Sequence, residues 1–253
     1  MIPQQAPRAA TGAAPEGARD KQSAAKAVQQ MFSDVAPRYD LLNHVLSCNV
    51  DRIWWWRAAR TFNHILQRRD ARVLDLCCGT GDMTLALRRC AGTLENQIVG
   101  ADFVHAMLVR AAPKIAGRNI GLLEGDALQL PVEDSAFDLV TSAFGFRNLA
   151  NYDDGLREIC RVLRPGGEVG ILDFSEPKGW LGKLYRLYFR HVLPRIGTLI
   201  SGVRGPYAYL PASVERFPEP EEMLRHMQAA GFTEVSWKPY SFGIAGLFQG
   251  KKL

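Results

Sequence analysis

From residue 72 to residue 174, short apolar runs alternate with stretches whose apolar residues recur at helical spacing. The runs are RVLDLCC, QIVGADF, GLLEGDA, FDLVTSAFG and GGEVGILDF, and between them lie DMTLALRRCA, HAMLVRAAPKIAG and DDGLREICRVLR. The first pattern predicts buried strands and the second amphipathic helices. Strand, helix, strand in succession implies parallel pairing through right-handed crossovers. Further on, EPEEMLRHMQAAG reads as a helix closed by Gly231, and FTEVSWKPYSFGIAGLFQGKK as two last strands. The expected fold is α/β and Rossmann-like: a seven-stranded, mostly parallel sheet with helices on both faces.

Two stretches break this rhythm. Residues 24–70 read as a helical N-terminal region leading into the sheet, interrupted at Pro37, and residues 176–217 as an insertion after the fifth strand. Residues 1–24, rich in Ala, Pro, Gly and Gln, read as a disordered tail, which leaves 25–253 as a single domain. The tail lacks the continuous apolar centre of a secretory leader. No run of about 18 apolar residues is present to span a bilayer, and the protein is expected in the cytoplasm. The cysteines, Cys48, Cys77, Cys78, Cys90 and Cys160, are odd in number, form no C-x-x-C and have no histidine at ligand spacing. They read as small apolar residues in a reduced compartment, and no metal is expected. A net charge of +5 leaves nucleic acid and a membrane surface both open as partners.

Gly79 and Gly81 follow the first strand directly, at the sheet rim where open α/β folds bind ligands. A dinucleotide fingerprint needs a third glycine where this chain has Thr84, and a lone G-x-G is weak. The acids say more. Asp75 lies in the first strand, Asp82 follows the second glycine, Asp102 ends the second strand and Asp126 ends the third. A carboxylate at the position of Asp102 suits ribose hydroxyls, and Asp126 can meet an adenine edge. Carboxylates around the loop would repel a pyrophosphate and suit a cationic nucleoside, of which S-adenosyl-L-methionine is the expected one. The alternative is that Asp75 and Asp82 cap the loop and the helix.

The segments VLDLCCGTGDMT, GADFVHAML, EGDALQLPVEDSAFDLV and RVLRPGGEVGILDF resemble the motif series of class I methyltransferases. More closely, YDLLNHVLSCNVDRIWW, FGFRNL and HVLPRIGTLI resemble the ubiquinone/menaquinone biosynthesis C-methyltransferase family, over residues 30–253. The resemblance implies that Thr80, Asp102, Asp126 and Ala127 contact the adenosyl cofactor, together with the glycine-loop backbone at Gly79 and Gly81. Members usually carry a serine where this chain has Ala143, so a backbone contact is expected there. The implied reaction is C-methylation of a lipid-soluble polyprenyl quinol, with demethylmenaquinol ahead of a methoxy-polyprenyl-benzoquinol. A methyltransferase for another small molecule and a non-catalytic cofactor-binding scaffold in a quinone-synthesis complex are the other readings. The fourth-strand motif SAFGFRN lacks the Asn/Asp-Pro-Pro-aromatic signature of amino-group nucleic-acid methylation, so nucleic acid is not expected.

A ring carbon attacks a methyl group only when a neighbouring hydroxyl is ionised or nearly so. Arg147 and Asn148, after the fourth strand, are candidates for holding that oxygen, Arg147 as a permanent cation or, alternatively, as the partner of a structural acid. Asp51 and His44 are candidates for taking the proton; the family generally has histidine where Asp51 stands. Three consecutive tryptophans, Trp54 to Trp56, cannot share one helical face, and only Trp54 matches the family motif. Residues 177–214 contain no Asp or Glu but include Lys178, Lys183, Arg186, Arg190, Arg195 and Arg204. This basic 178–204 region reads as an interfacial helix at the inner face of the plasma membrane, or as a lid with a solvated basic face. A homo-oligomer stays open.

Overall fold

In a computed structural model, residues 12–13, 15, 20–36, 49–177 and 206–253 are described. Helices α1 (Lys21–Val35), α2 (Val50–Thr61) and α3 (Asn63–Leu66) precede the sheet. There follow β1 (Arg72–Leu76), α4 (Asp82–Cys90), β2 (Gln97–Asp102), α5 (His105–Ile115), β3 (Ile120–Glu124) and β4 (Phe137–Ala143). A 3-10 turn (Phe146–Asn148) leads to α6 (Tyr152–Val162) and β5 (Leu163–Phe174). After the insertion come α7 (Pro206–Arg216), α8 (Pro220–Ala229), β6 (Phe232–Tyr240) and β7 (Ala245–Lys252).

The seven strands form one sheet in the order β3-β2-β1-β4-β5-β7-β6, parallel as far as β5. β7 runs antiparallel between β5 and β6. The chain builds outward from β1 in one direction, then restarts at β4 on the other side. The crevice between the loops after β1 and β4 is therefore the topological switch point.

Period-two alternation assigns each strand residue to one of two cores. Leu74, Leu76, Val140, Ile171 and Phe248 pack on one face with Leu156 and Ile159 of α6 and Met223 and Met227 of α8. Val73, Leu139, Leu172 and Leu247 pack on the other with Trp54 and Ala58 of α2 and Met83 and Leu87 of α4. The helices have local causes as well. Asn151 caps α6 by accepting the Asp154 N–H at 3.1 Å. Pro220 opens α8, with Glu221 and Glu222 in its first turn.

The tail boundary needs correction. α1 starts at Lys21, capped by Asp20, whose carboxylate accepts the Ser23 N–H at 2.7 Å, so the helix begins inside the stretch read as tail. Gly12 and Ala13 are buried, and the Ala13 N–H donates to the Leu149 carbonyl at 2.8 Å. His44 and the basic 178–204 region lie outside the described residues.

Candidate functional site

The loops after β1, β2, β3 and β4 converge on an open cleft in two halves that share Cys77, Asp102, Phe103, Asn148 and Leu149. One half adds Gly79, Ala143, Phe144 and Met107. The other adds Asp126, Ala127 and Gly125. Among the described residues no Lys, Arg or His lines either half.

Asp102 organises the floor. Its Oδ2 accepts the Gly79 N–H at 2.8 Å and its Oδ1 the Val104 N–H at 2.9 Å. Burial raises its pKa, and these backbone donors, with Phe103, work against that rise. Asp126 is fixed just past β3, where its Oδ1 accepts the Leu128 N–H at 2.9 Å. Two carboxylates thus face a space without a countercharge from the described residues. Cys77 lines both halves as a neutral thiol, its pKa pushed well up by burial and then by Asp102 and Asp75.

Not every predicted residue reaches the cleft. Asp75 points the other way: alternation along β1 sends it to the α4 face, where it is fully buried. It accepts from Thr84 Oγ1 at 2.5 Å and Thr141 Oγ1 at 2.8 Å. Asp75 therefore ties β1 to α4 and β4, and its assignment as a cofactor contact is corrected. The Thr80 hydroxyl is also turned away. It accepts from Lys114 Nζ at 3.0 Å, and Lys114 reaches Asp82 at 3.2 Å. Gly81 (φ +87) makes the turn into α4, with Ala111 3.5 Å from where a Cβ would sit. Neither Thr80 nor Gly81 lines the cleft halves.

Arg147 is buried against an acid. Nη1 meets Asp173 Oδ1 at 2.8 Å, and the Arg147 N–H donates to Oδ2 of the same carboxylate at 3.0 Å. Nη1 also donates to the Phe144 carbonyl, and the guanidinium lies 5.2 Å over the Phe174 ring. A fully buried Asp173 requires a cation, and Arg147 supplies it. The assignment of Arg147 to a quinolate gives way to the alternative, a pairing with a structural acid. Its effect is on Phe144, a non-glycine residue held at φ +58 beside the cleft, a conformation that costs energy and persists only when held. Gly145 follows because a Cβ there would collide with Cys77.

Asn148 does reach the site. It lines both halves, and its buried Oδ1 has no hydrogen-bond partner among the described residues, so it is an acceptor awaiting a donor. Asp51 is buried in the first turn of α2, one helical turn before Trp54. The Trp54 ring lies 5.8 Å from that of Phe144 and 6.2 Å from that of Phe174. Phe144 and Phe174 are themselves 4.6 Å apart. Beyond this aromatic wall is a larger groove of about 430 Å³ that includes Phe174, Phe217, Trp237 and Phe242, with Glu219 and Glu221 in its lining. Sequence reasoning missed Phe32 and Ala25, through which α1 covers the cleft. Gln29 anchors that cover by donating to the Phe103 carbonyl at 2.8 Å. The amphipathic pattern of α1 signals a buried face but not its partner.

The sequence profile described as the ubiE/COQ5 methyltransferase family matches residues 19–252. A demethylmenaquinone methyltransferase of Deinococcus radiodurans is 50% identical over 236 residues, covering 92% of this chain and 95% of the relative. The one from Thermus thermophilus is 48% identical, covering 88% and 100%. A ubiquinone/menaquinone biosynthesis C-methyltransferase of Geobacter sulfurreducens is 42% identical, covering 89% and 88%. Among solved structures, a SAM-dependent methyltransferase from Thermotoga maritima superposes with a TM-score of 0.61 at 18% identity, covering 89% of this chain and all of the other. That likeness shows the fold alone.

Two outcomes follow from the buried acids. Arg147→Ala leaves Asp173 buried without its cation and is expected to lower stability by roughly 3–5 kcal/mol, read by denaturant unfolding; an unchanged midpoint would show that the pair is not structural. Burial pushes the Asp75 carboxyl up to about 7 from its ordinary 3.8. The folded protein therefore binds one more proton than the unfolded chain between those values, and stability falls as pH rises through that window. Asp75→Asn lacks this titration, so the parent should lose stability relative to the variant from about pH 4 to 7 and no further above it. A flat difference would mean that Asp75 is ionised throughout.

Proposed function

The chain belongs to the ubiE/COQ5 methyltransferase family, and from that premise we propose that it C-methylates demethylmenaquinol, a step of menaquinone biosynthesis, releasing S-adenosylhomocysteine. The cofactor is S-adenosyl-L-methionine. The carrying observation is the cleft itself: Asp102 and Asp126 border it and no cation does among the described residues. Such a lining fits a cationic nucleoside without phosphates. Asp102 keeps lone pairs for the ribose hydroxyls beside its two backbone bonds. Asp126 and Ala127 would hold the adenine end, and the backbone at Gly79 and Ala143 would line the cofactor's other side.

The cofactor supplies an electrophilic methyl group on a positively charged sulfur. What this chain contributes is alignment and a site poor in water, where loss of that charge is favoured. Phe32, Met107, Ala143 and Phe144 give one half of the cleft its apolar wall. The acceptor carbon is activated when its neighbouring hydroxyl gives up its proton. Asn148 Oδ1, the unpartnered acceptor, suits that hydroxyl and would orient the ring. Asp51 is the candidate proton acceptor, supported by its place on the buried face of α2 beside the aromatic wall; His44 keeps its candidacy from sequence alone. The groove beyond Phe144 and Phe174 offers apolar and aromatic surface for the acceptor's approach. We place the enzyme at the cytoplasmic face of the membrane, because a polyprenyl tail stays in the bilayer. No helix among the described residues is long and apolar enough to cross it.

The test follows a labelled methyl group from S-adenosyl-L-methionine into demethylmenaquinol, with the methoxy-polyprenyl-benzoquinol as competitor. Preferential labelling of the benzoquinol would replace the proposed acceptor, and cofactor binding without labelling of any quinol would favour a scaffold. Asp102→Ala removes a carboxyl hydrogen-bond acceptor, which corresponds to about a 10- to 100-fold loss of cofactor affinity. Asn148→Ala should instead lower kcat with cofactor affinity kept. The reverse split would move Asn148 to the cofactor.

A further inference from the structure

The outer face of α2 is occupied by one kind of surface. Arg52, Ile53, Trp56, Arg57 and Arg60 are all exposed. At 100° per residue they fall within one arc of about 140°. The acid of this helix, Asp51, is on the opposite, buried side. Two large apolar side chains stand out on the arc, Ile53 at 54% exposure and Trp56 at 49%. The Arg60 guanidinium sits over the Trp56 ring at 4.7 Å, and Arg57 over Tyr240 at 4.4 Å. Phe242, 87% exposed, follows two residues after Tyr240, the ring that Arg57 of this face covers.

We propose that this α2 face, Arg52, Ile53, Trp56, Arg57 and Arg60 together with Phe242, docks the enzyme on an anionic lipid surface. This deepens, and rests on, the reading of the acceptor as a bilayer-resident quinol. Charge complementarity decides the occupant: three guanidinium groups and no carboxylate on the arc match a layer of anionic headgroups. Indole, phenyl and isoleucine side chains enter the boundary beneath them. An arginine stacked on tryptophan keeps its charge at headgroup depth above an apolar ring. The inner side of the same helix holds Trp54 against Phe144 of the cleft, so one helix thickness separates lipid from the aromatic wall. Phe242 also lines the larger groove, which places the groove's edge at the docking surface. The groove's lining also includes Glu176, Glu215, Glu219 and Glu221, carboxylates that anionic headgroups would repel.

The experiment floats the full-length protein with phosphatidylcholine vesicles, with and without phosphatidylglycerol. In parallel it measures methyl transfer to a short-chain, water-soluble demethylquinol. Parent protein should float only with the anionic vesicles. Arg52→Glu with Arg60→Glu, and Ile53→Ser with Trp56→Ser, should each lower vesicle affinity by at least about tenfold while short-chain turnover stays at the parent level. Brominated lipid should quench tryptophan emission in the parent and much less in Trp56→Phe, a variant mild enough to fold. Lys183→Gln with Arg186→Gln and Arg190→Gln should bind vesicles within a few-fold of the parent. The proposal is overturned if the parent ignores anionic vesicles, if quenching is unchanged in Trp56→Phe, or if only the 183/186/190 variant loses binding. It is also overturned if an oligonucleotide binds the α2 face more tightly than the vesicles do. Failure of the parent to methylate the short-chain quinol would instead remove the functional reading, a result distinct from any of these.

Discussion

The Asp102 carboxylate accepts the Gly79 N–H with one oxygen and the Val104 N–H with the other, which fixes the loop after β1 against the end of β2. The cleft depends on this join. In a phosphate-binding loop the backbone N–H groups point at the ligand and a helix N-terminus adds partial positive charge. Here the Gly79 N–H is given to a protein carboxylate, and that carboxylate faces the cleft in its place. The same loop backbone that could cradle an anion therefore presents a net negative lining. Burial makes the charge costly, and the two backbone donors offset part of that cost.

Much of this architecture was legible because it follows from local periodicity. The five alternating runs became β1 to β5, and Gly81 and Gly231 both adopt the positive φ their positions require. Period two also contained the answer for Asp75. Val73 and Leu139 face α4 while Leu74 and Val140 face α6, so Asp75 and Thr141 must face α4 as well. Asp102 escapes the same parity because it is the last residue of its strand and its side chain turns into the loop. The insertion of β7 between β5 and β6 was not legible, since a hairpin can join a sheet edge by either strand. Nor was the partner of Arg147: Asp173 sits in ILDF, 26 residues away, inside an ordinary strand motif. Only the packing of β5 beside β4 brings them together.

That ion pair shows how the rim is made rigid. A buried pair is weak evidence for stability, because desolvation consumes most of the attraction. Its value here is directional. Both oxygens of Asp173 bind Arg147, one at the backbone and one at the guanidinium. The guanidinium then binds the carbonyl of Phe144, while the Tyr152 hydroxyl donates to the Arg147 carbonyl at 3.0 Å. The turn between β4 and α6 is thus held at each corner, and Phe144 can keep a φ of +58 that an unsupported turn would relax. The strain places the ring of Phe144 against Trp54 and Phe174 and aims Asn148 into the cleft.

Polarity then changes across the cleft in the direction the reaction needs. Asp126 and the loop after β3 lie in one half, whereas Phe32, Met107, Ala143 and Phe144 lie in the other. In the binding mode proposed above, the nucleoside end, rich in donors, would lie with the carboxylates and the reacting end beside the apolar wall. Methyl transfer destroys a cation, so a wall that solvates charge poorly destabilises the reactant more than the transition state. The carboxylates that attract the cofactor are best kept at a distance from the sulfur, since an adjacent anion would stabilise the charge that must be lost. In that proposed mode attraction and activation fall to different ends of one cleft, and Asp102, common to both halves, would mark where one task gives way to the other.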